Sequence, residues 1–379
     1  MKKFVYALVL VLLGLFACNS GKKSAVRHDK IIVGVFNGNG ASPICVLETK
    51  EALKIDTGIV PVEVSAADIM NGKLDSIDVL VFPGGSGSKE LNNLGQLGAE
   101  KVRKFVEQNG KGIVGICAGG YLLSTTPTYP SLQLISAANY DRKHYSRGRG
   151  LIEVALTAAG REIFPELAGK RVFLQYYDGP VLVANDSSNI EYTELAKYVT
   201  DIHANPGIPA GVTPGKTFML TQQVGKGRVF VIGGHPEATP GYRWMIPRMA
   251  RYVHSGQIIR YPQKWINPDI YKAEYMFTPE NKKLEKQLFW NLFDDSAQVR
   301  IAAIKKLFYE MHSRPAVRWS LGLLRDKDAN VRATAATILK DAEYTWAVKD
   351  LRQALKDEKD PKVREKLEDA IKFLTEFQD

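Results

Sequence analysis

The sequence predicts a three-layer α/β sandwich followed by an all-α repeat module. Three observations predict it. First, apolar runs at 31–36, 60–64, 79–82 and 113–116 alternate with helical stretches such as 99–108. Strands that alternate with helices imply a largely parallel sheet with helices on both faces. Second, the runs at 152–156, 172–175, 181–184, 218–222 and 228–232 are closely spaced and turn-rich. Such spacing suits an antiparallel extension that leads back into the sheet. Third, from residue 286 onward the chain turns to Ala, Leu, Lys and Arg, and a Val-Arg pair recurs every 32 residues, at Val299-Arg300, Val331-Arg332 and Val363-Arg364.

Each element follows from its residues. The sandwich spans 30–256 and closes with a helix over 245–254. A segment at 257–285, rich in Tyr, Pro and Trp, reads as a strap whose aromatics pack on both neighbours. In the repeat module, 286–379, an Asp precedes each Val-Arg pair and an apolar helical pattern follows it. An Asp at that place starts a helix, and a fixed period of this length marks units that bury their apolar faces only by stacking.

The chain has 379 residues, 45% of them hydrophobic and 24% charged, which is an ordinary globular composition for two domains. Net charge is +10. The first 29 residues hold Lys2, Lys3, Lys22, Lys23 and Arg27 against Asp29 alone, and no long basic run follows in the folded part. Nucleic acid is therefore not an expected partner. Basic residues precede the apolar stretch 4–16, which is too short for a membrane span. It ends in Leu15-Phe16-Ala17-Cys18. This ending resembles a bacterial lipobox, which implies a signal peptide over 1–17, a lipidated Cys18 and a tether over 18–29. The expected location is the cell envelope, outside the cytoplasm and anchored to a membrane. Lys22-Lys23 then reads either as a headgroup contact or as a solvated tether.

Two strings carry the chemistry. Gly115-Ile116-Cys117-Ala118-Gly119-Gly120 joins an apolar strand to a helix, the setting of a nucleophile elbow. Small residues permit the sharp turn, and the helix N-terminus favours a thiolate. Gly233-Gly234-His235-Pro236-Glu237 ends another strand and offers a base with a carboxylate two residues on. A thiol, a base and an orienting acid form a nucleophilic triad. Of the remaining cysteines, Cys45 reads as a small buried hydrophobe, or as a neighbour of the elbow at the same sheet edge. His28 lies in the tether, and His144, His203, His254 and His312 lack Cys, His or carboxylate partners at ligand spacing, so no metal and no cofactor are expected.

These strings, with Asn37-Gly38-Asn39-Gly40-Ala41-Ser42, Phe82-Pro83-Gly84-Gly85 and Tyr176-Tyr177-Asp178-Gly179-Pro180, resemble the class I glutamine amidotransferase-like superfamily. Within it they are most similar to the N-terminal domain of some biotin–protein ligases. The resemblance implies a flavodoxin-like fold. It makes Cys117 the nucleophile, His235 the base and Glu237 its orienter. The backbone N–H groups of Gly85 and Ala118 become an oxyanion hole, with Gly84, Tyr121 and Tyr177 lining the substrate site. Tyr121 stands where glutaminases of the superfamily carry a substrate-binding Gln, so glutamine specificity is not expected. Export would also separate the protein from the ATP that ammonia-transferring enzymes need. Ser146-Arg147-Gly148-Arg149-Gly150 only faintly echoes a biotin ligase signature and lies inside the amidotransferase-like region, so ligase activity is not expected either. The C-terminal units resemble HEAT repeats, which implies a protein partner. Two functions remain open: a hydrolase of an amide or related acyl bond, or an inactive ligand- or protein-binding lipoprotein with the same pocket.

Overall fold

The computed structural model describes residues 30–186 and 191–376. The signal peptide, the tether and the lipidation expected at Cys18 lie outside the described residues. No helix among those described is long and apolar enough to cross a membrane.

Twelve strands among the described residues form one sheet. In chain order they are β1 Ile31–Phe36, β2 Ile59–Val64, β3 Val79–Phe82, β4 Gly112–Ile116, β5 Ala137–Asn139, β6 Arg149–Leu156, β7 Val172–Tyr177, β8 Leu182–Ala184, β9 Thr193–Tyr198, β10 Thr217–Val224, β11 Gly227–Ile232 and β12 Tyr275–Met276. The order β2-β1-β3-β4-β11 is parallel throughout. From β11 the sheet continues antiparallel through β10, β9 and β6. Alternate residues serve opposite faces: Val79 and Val81 enter one core, Leu80 and Phe82 the other. Both faces of the central strands are therefore buried, as a parallel sheet requires.

The chain leaves β1 for β2 on one side and returns to β3 and β4 on the other. That reversal opens a crevice at the carboxyl ends of the strands, where ligands bind in such sheets. The loops after β1, β3, β4 and β11 all end there, bringing Ser42, Gly85, Cys117 and His235 to one edge. The elbow backbone is tied to its neighbour by the Cys117 N–H, which donates to the Ile232 carbonyl at 2.9 Å.

Three strands escaped the sequence reading: β5, β9 and β12. Thr193–Tyr198 contains Glu194 and Lys197 and lacks an apolar run, because its neighbours supply the burial. The strap also differs from a simple linker. Tyr261, Trp265 and Tyr271 join the sheet core, Phe277 joins the repeat core, and β12 pairs with β6. The closing helix is Met245–Ser255, and the helix expected at 99–108 begins earlier, at Gly87, with a break at Gly95.

Six α-helices among the described residues follow, from Pro279–Asn291 to Pro361–Thr375. Asp328 and Asp360 cap the helices Ala329–Asp341 and Pro361–Thr375, each accepting two backbone N–H bonds. Val331 and Val363 are buried, while Val299 is only half-buried. The arginines join successive units: Arg300 donates twice to Asp326, at 2.8 and 2.7 Å, and Arg332 twice to Glu358, at 2.6 and 2.9 Å. The first unit departs from the pattern at its cap, where Ser296 takes the place expected of Asp.

The repeats dock on the carboxyl edge of the sheet. Gln175 Nε2 donates to the His312 carbonyl at 2.7 Å, Thr345 Oγ1 to Glu51 at 2.7 Å and the Gly241 N–H to Glu343 at 2.9 Å.

Candidate functional site

Cys117 sits between β4 and the helix Ala118–Leu123 with φ 50° and ψ −102°. A non-glycine residue there is strained, and such strain persists only where the surroundings impose it. The packing imposes it: a Cβ on Gly119 would lie 2.3 Å from the Phe82 carbonyl oxygen. The helix therefore approaches β3 too closely for any side chain, and the turn has no room to relax. The Cys117 thiol donates to the Tyr177 carbonyl at 3.4 Å and opens on a cavity of about 400 Å³. Gly85, Ala118, Tyr121 and Tyr177 line that cavity with it. The Ala118 N–H, first in its helix, has no intrahelical acceptor. Tyr121 is buried and donates to the Asp178 carbonyl at 3.0 Å.

His235 follows β11 and is 2% exposed. Its Nδ1 meets Glu237 Oε1 at 2.7 Å, and its backbone N–H donates to the Gln175 carbonyl at 2.8 Å. The Tyr177 ring stands edge-on to the imidazole at 5.7 Å. Burial pushes the imidazole down. The Cys117 sulfur and the Glu237 carboxylate push harder, and the ring is held well above the usual histidine range. Nε2 makes no well-aligned hydrogen bond, because the Cys117 thiol is turned toward Tyr177.

The sequence reading missed most of the surroundings of this pair, although one of its two readings of Cys45 put that residue beside the elbow. Cys45, on the helix Pro43–Leu53, is buried beside the ring. Cys45, His235 and Glu237 each bring one ligand atom within 4.8 Å of the others. Gly84 stands between them. A Cβ there would lie 2.6 Å from His235 Cε1 and 2.9 Å from Cys45 Sγ, so Gly84 permits this contact and does not line the Cys117 cavity. Burial raises the Cys45 thiol, yet His235 and Arg314 outweigh it, and its pKa falls below the usual value. Both cysteines are free. The His235 imidazole thus faces two thiols.

Arg314 comes from the repeat module, at the start of the helix Arg314–Leu323. Its Nη2 lies 3.5 Å from Cys45 Sγ, its guanidinium pairs with Glu48, and its charge sits 5.6 Å from the centre of the Tyr177 ring. Glu48 was within reach of sequence reasoning, since it lies three residues after Cys45 and so on the same helix face. Arg314 had no such signal. A single Arg before Pro315 looks like any helix start.

Thiol, imidazole and carboxylate are also the donors zinc takes. Here Nδ1 is already engaged by Glu237, and Arg314 holds a fixed positive charge beside the sulfur. The Nδ1 contact leaves Nε2 open and would not hinder a metal, but a dication would have to sit against the Arg314 charge, which opposes it. Two of the other histidines do have carboxylate partners, contrary to expectation: His144 with Asp141 at 2.8 Å and His203 with Asp201 at 3.4 Å. Both pairs lie within one local turn. Arg147, in the ligase-like string, is fully buried and donates to the Asp141 carbonyl at 2.8 Å, a structural role.

Comparison with known proteins gives two family matches. Residues 31–132 match the biotin-protein ligase N-terminal family and residues 285–372 match HEAT repeats. No curated protein sequence matches the chain. Among solved structures, a ThuA-like protein from Parabacteroides merdae aligns at 11% identity and TM-score 0.42, over 62% of this chain and 99% of that one. A cytoplasmic protein from Salmonella typhimurium aligns at 12% identity and TM-score 0.38, over 59% and 98%. A β-galactosidase from Bacillus circulans aligns at 15% identity and TM-score 0.36, over 60% of this chain but 31% of its own. The sheet order, the Cys117 elbow and the two family matches together describe a mixed α/β fold that carries a biotin-protein ligase N-terminal match over 31–132 and a HEAT-repeat match over 285–372.

Proposed function

We propose that this protein is a cysteine hydrolase of an amide or related acyl bond. One observation carries the reading: a strained Cys117 opens on its own cavity while the adjacent, buried His235 is held by Glu237 at 2.7 Å. In this mechanism the Cys117 thiolate attacks the substrate carbonyl. The N–H groups of Gly85 and Ala118 receive the developing oxyanion. His235, kept protonated by the anions around it, gives its Nε2 proton to the leaving amine as the C–N bond breaks. Water then hydrolyses the thioester, with His235 taking up the water proton. Glu237 orients the ring throughout and takes no part in bond making.

The test is labelling with a thiol-directed acylating probe at neutral pH. Selective modification of Cys117 that is lost in His235→Ala supports the reading. Unreactive Cys117, or equal labelling in the variant, overturns it in favour of an inactive binding protein.

The lipobox-like Leu15-Phe16-Ala17-Cys18 supports a lipid-anchored location in the cell envelope, outside the cytoplasm. A protein partner on the repeats is supported by a cluster of exposed aromatics. Trp290 is 68% and Phe293 66% exposed, and Phe293 packs against Trp319 at 5.7 Å. Exposed apolar clusters of this kind mark interaction surfaces.

A further inference from the structure

A second cavity, of about 700 Å³, lies between the repeats and the sheet edge. It shares no lining residue with the Cys117 cavity. Four of its buried side chains carry a polar atom without a partner: Gln175 Oε1, Glu237 Oε2, Arg243 Nη2 and Glu343 Oε2. None of the four residues is more than 5% exposed. Buried polar atoms are almost always hydrogen-bonded, so four orphans on one cavity are a structural demand for a partner.

The chemistry of that partner follows from the lining. Three of the orphans are acceptors and one is a donor, so the occupant must supply more hydrogen-bond donors than acceptors. The charges are balanced: five acidic side chains line the cavity against five basic ones, with Glu237 also paired with His235 and Arg314 with Glu48. A balanced lining has no net charge to offer an ionic ligand. Trp346 and Tyr271 add flat apolar faces. Faces of that kind bind the C–H surface of a ring while the polar groups fix its edge. The volume lies within the usual range for small-molecule sites, and interfaces between modules are where such sites form.

We propose that this cavity binds a neutral polyhydroxylated small molecule, such as a sugar or cyclitol, whose hydroxyls satisfy Gln175, Glu237, Arg243 and Glu343. The site exists only because the repeats are docked, which gives the C-terminal module a binding role of its own. It is also lined by Glu237, the acid of the His235–Glu237 pair, whose second carboxylate oxygen the imidazole leaves without a partner. The assignment does not depend on Cys117 being reactive.

The experiment is titration of the full chain with glucose, N-acetylglucosamine, maltose and myo-inositol, read by calorimetry and by the change in tryptophan fluorescence that Trp346→Ala removes. Betaine and citrate serve as charged comparators. At least one polyol should bind saturably below about 10 mM, and Glu343→Gln should weaken it about tenfold or more. Glu343→Gln keeps a carbonyl for the Gly241 N–H, and Trp346→Ala, which removes a stacking face, is the second variant; melting curves report whether each is folded. Cys117→Ser should bind as the wild type does. The proposal fails if none of the four polyols binds in that range. It also fails if binding is unchanged in both folded variants, or if only betaine or citrate binds.

Discussion

Replacing Glu90 by Gln should stabilise the protein at alkaline pH and leave it nearly unchanged in acid. Glu90 lies on the helix Gly87–Glu107 and is 0% exposed, and neither of its carboxylate oxygens has a hydrogen-bond partner. Burial, with the neighbouring Cys45 charge adding to it, pushes its pKa from 4.5 up to about 8. Between those values the unfolded chain has released the proton while the folded protein still holds it. The folded state then binds more protons, so stability falls as pH rises. The contribution is complete below the unfolded pKa and is lost by the time pH passes the folded one. At about 1.4 kcal/mol per pKa unit, the gap amounts to roughly 4–5 kcal/mol across that window. Gln cannot ionise, so Glu90→Gln should lack this drop. Urea unfolding of both proteins at about pH 4 and about pH 9 measures it, with unchanged m-values required for the comparison. The variant should match the wild type within about 1 kcal/mol in acid and exceed it by about 4 in alkali. Parallel pH profiles would refute the reasoning, because they would mean that Glu90 ionises at its ordinary pH and is therefore paired or hydrated.

Three further variants have expected outcomes. Arg314→Met leaves the buried Glu48 carboxylate without its cation and should cost about 3–5 kcal/mol in denaturant unfolding. The same variant should make the Cys45 thiol harder to alkylate near neutral pH, since Arg314 helps to hold its pKa down; an unchanged alkylation rate would show that the guanidinium does not reach the sulfur. Arg332→Ala should destabilise the repeats above about pH 5 but much less in strong acid. Glu358 is held down to about 2 chiefly by Arg332, so the wild-type advantage is present above the ordinary carboxylate pKa and disappears as pH falls through the lowered one. Finally, Cys18→Ser should abolish fatty-acid incorporation in metabolic labelling, and equal incorporation in both proteins would remove the anchor from the account.

The chain announces whatever is written in short-range pattern. Cys117 among glycines at a strand end, and His235 two residues before Glu237, are local strings. A strand edge holds such strings in place whatever packs around them. The strands of the parallel half read as apolar runs because both faces are buried, and the repeats read through a period of 32 residues. What the sequence does not announce depends on contacts between distant segments. Arg314 reaches Glu48 across 266 positions, and Glu343 reaches Gly241 across 102. No periodicity records such meetings, and each residue alone resembles an ordinary surface charge. β9 was hidden for a related reason, since its burial comes from β6 and β10 and not from its own apolar content. By itself, then, the sequence determined the parallel half of the sheet, the elbow, the His235–Glu237 pair and the repeats. Only the tertiary structure decided that the His235 imidazole faces two thiols, that the repeat module brings an arginine beside them, and that its docking encloses a second cavity. The physical reason is that hydrogen bonds and ion pairs depend on distance in space, whereas the pattern in a chain records only distance along it.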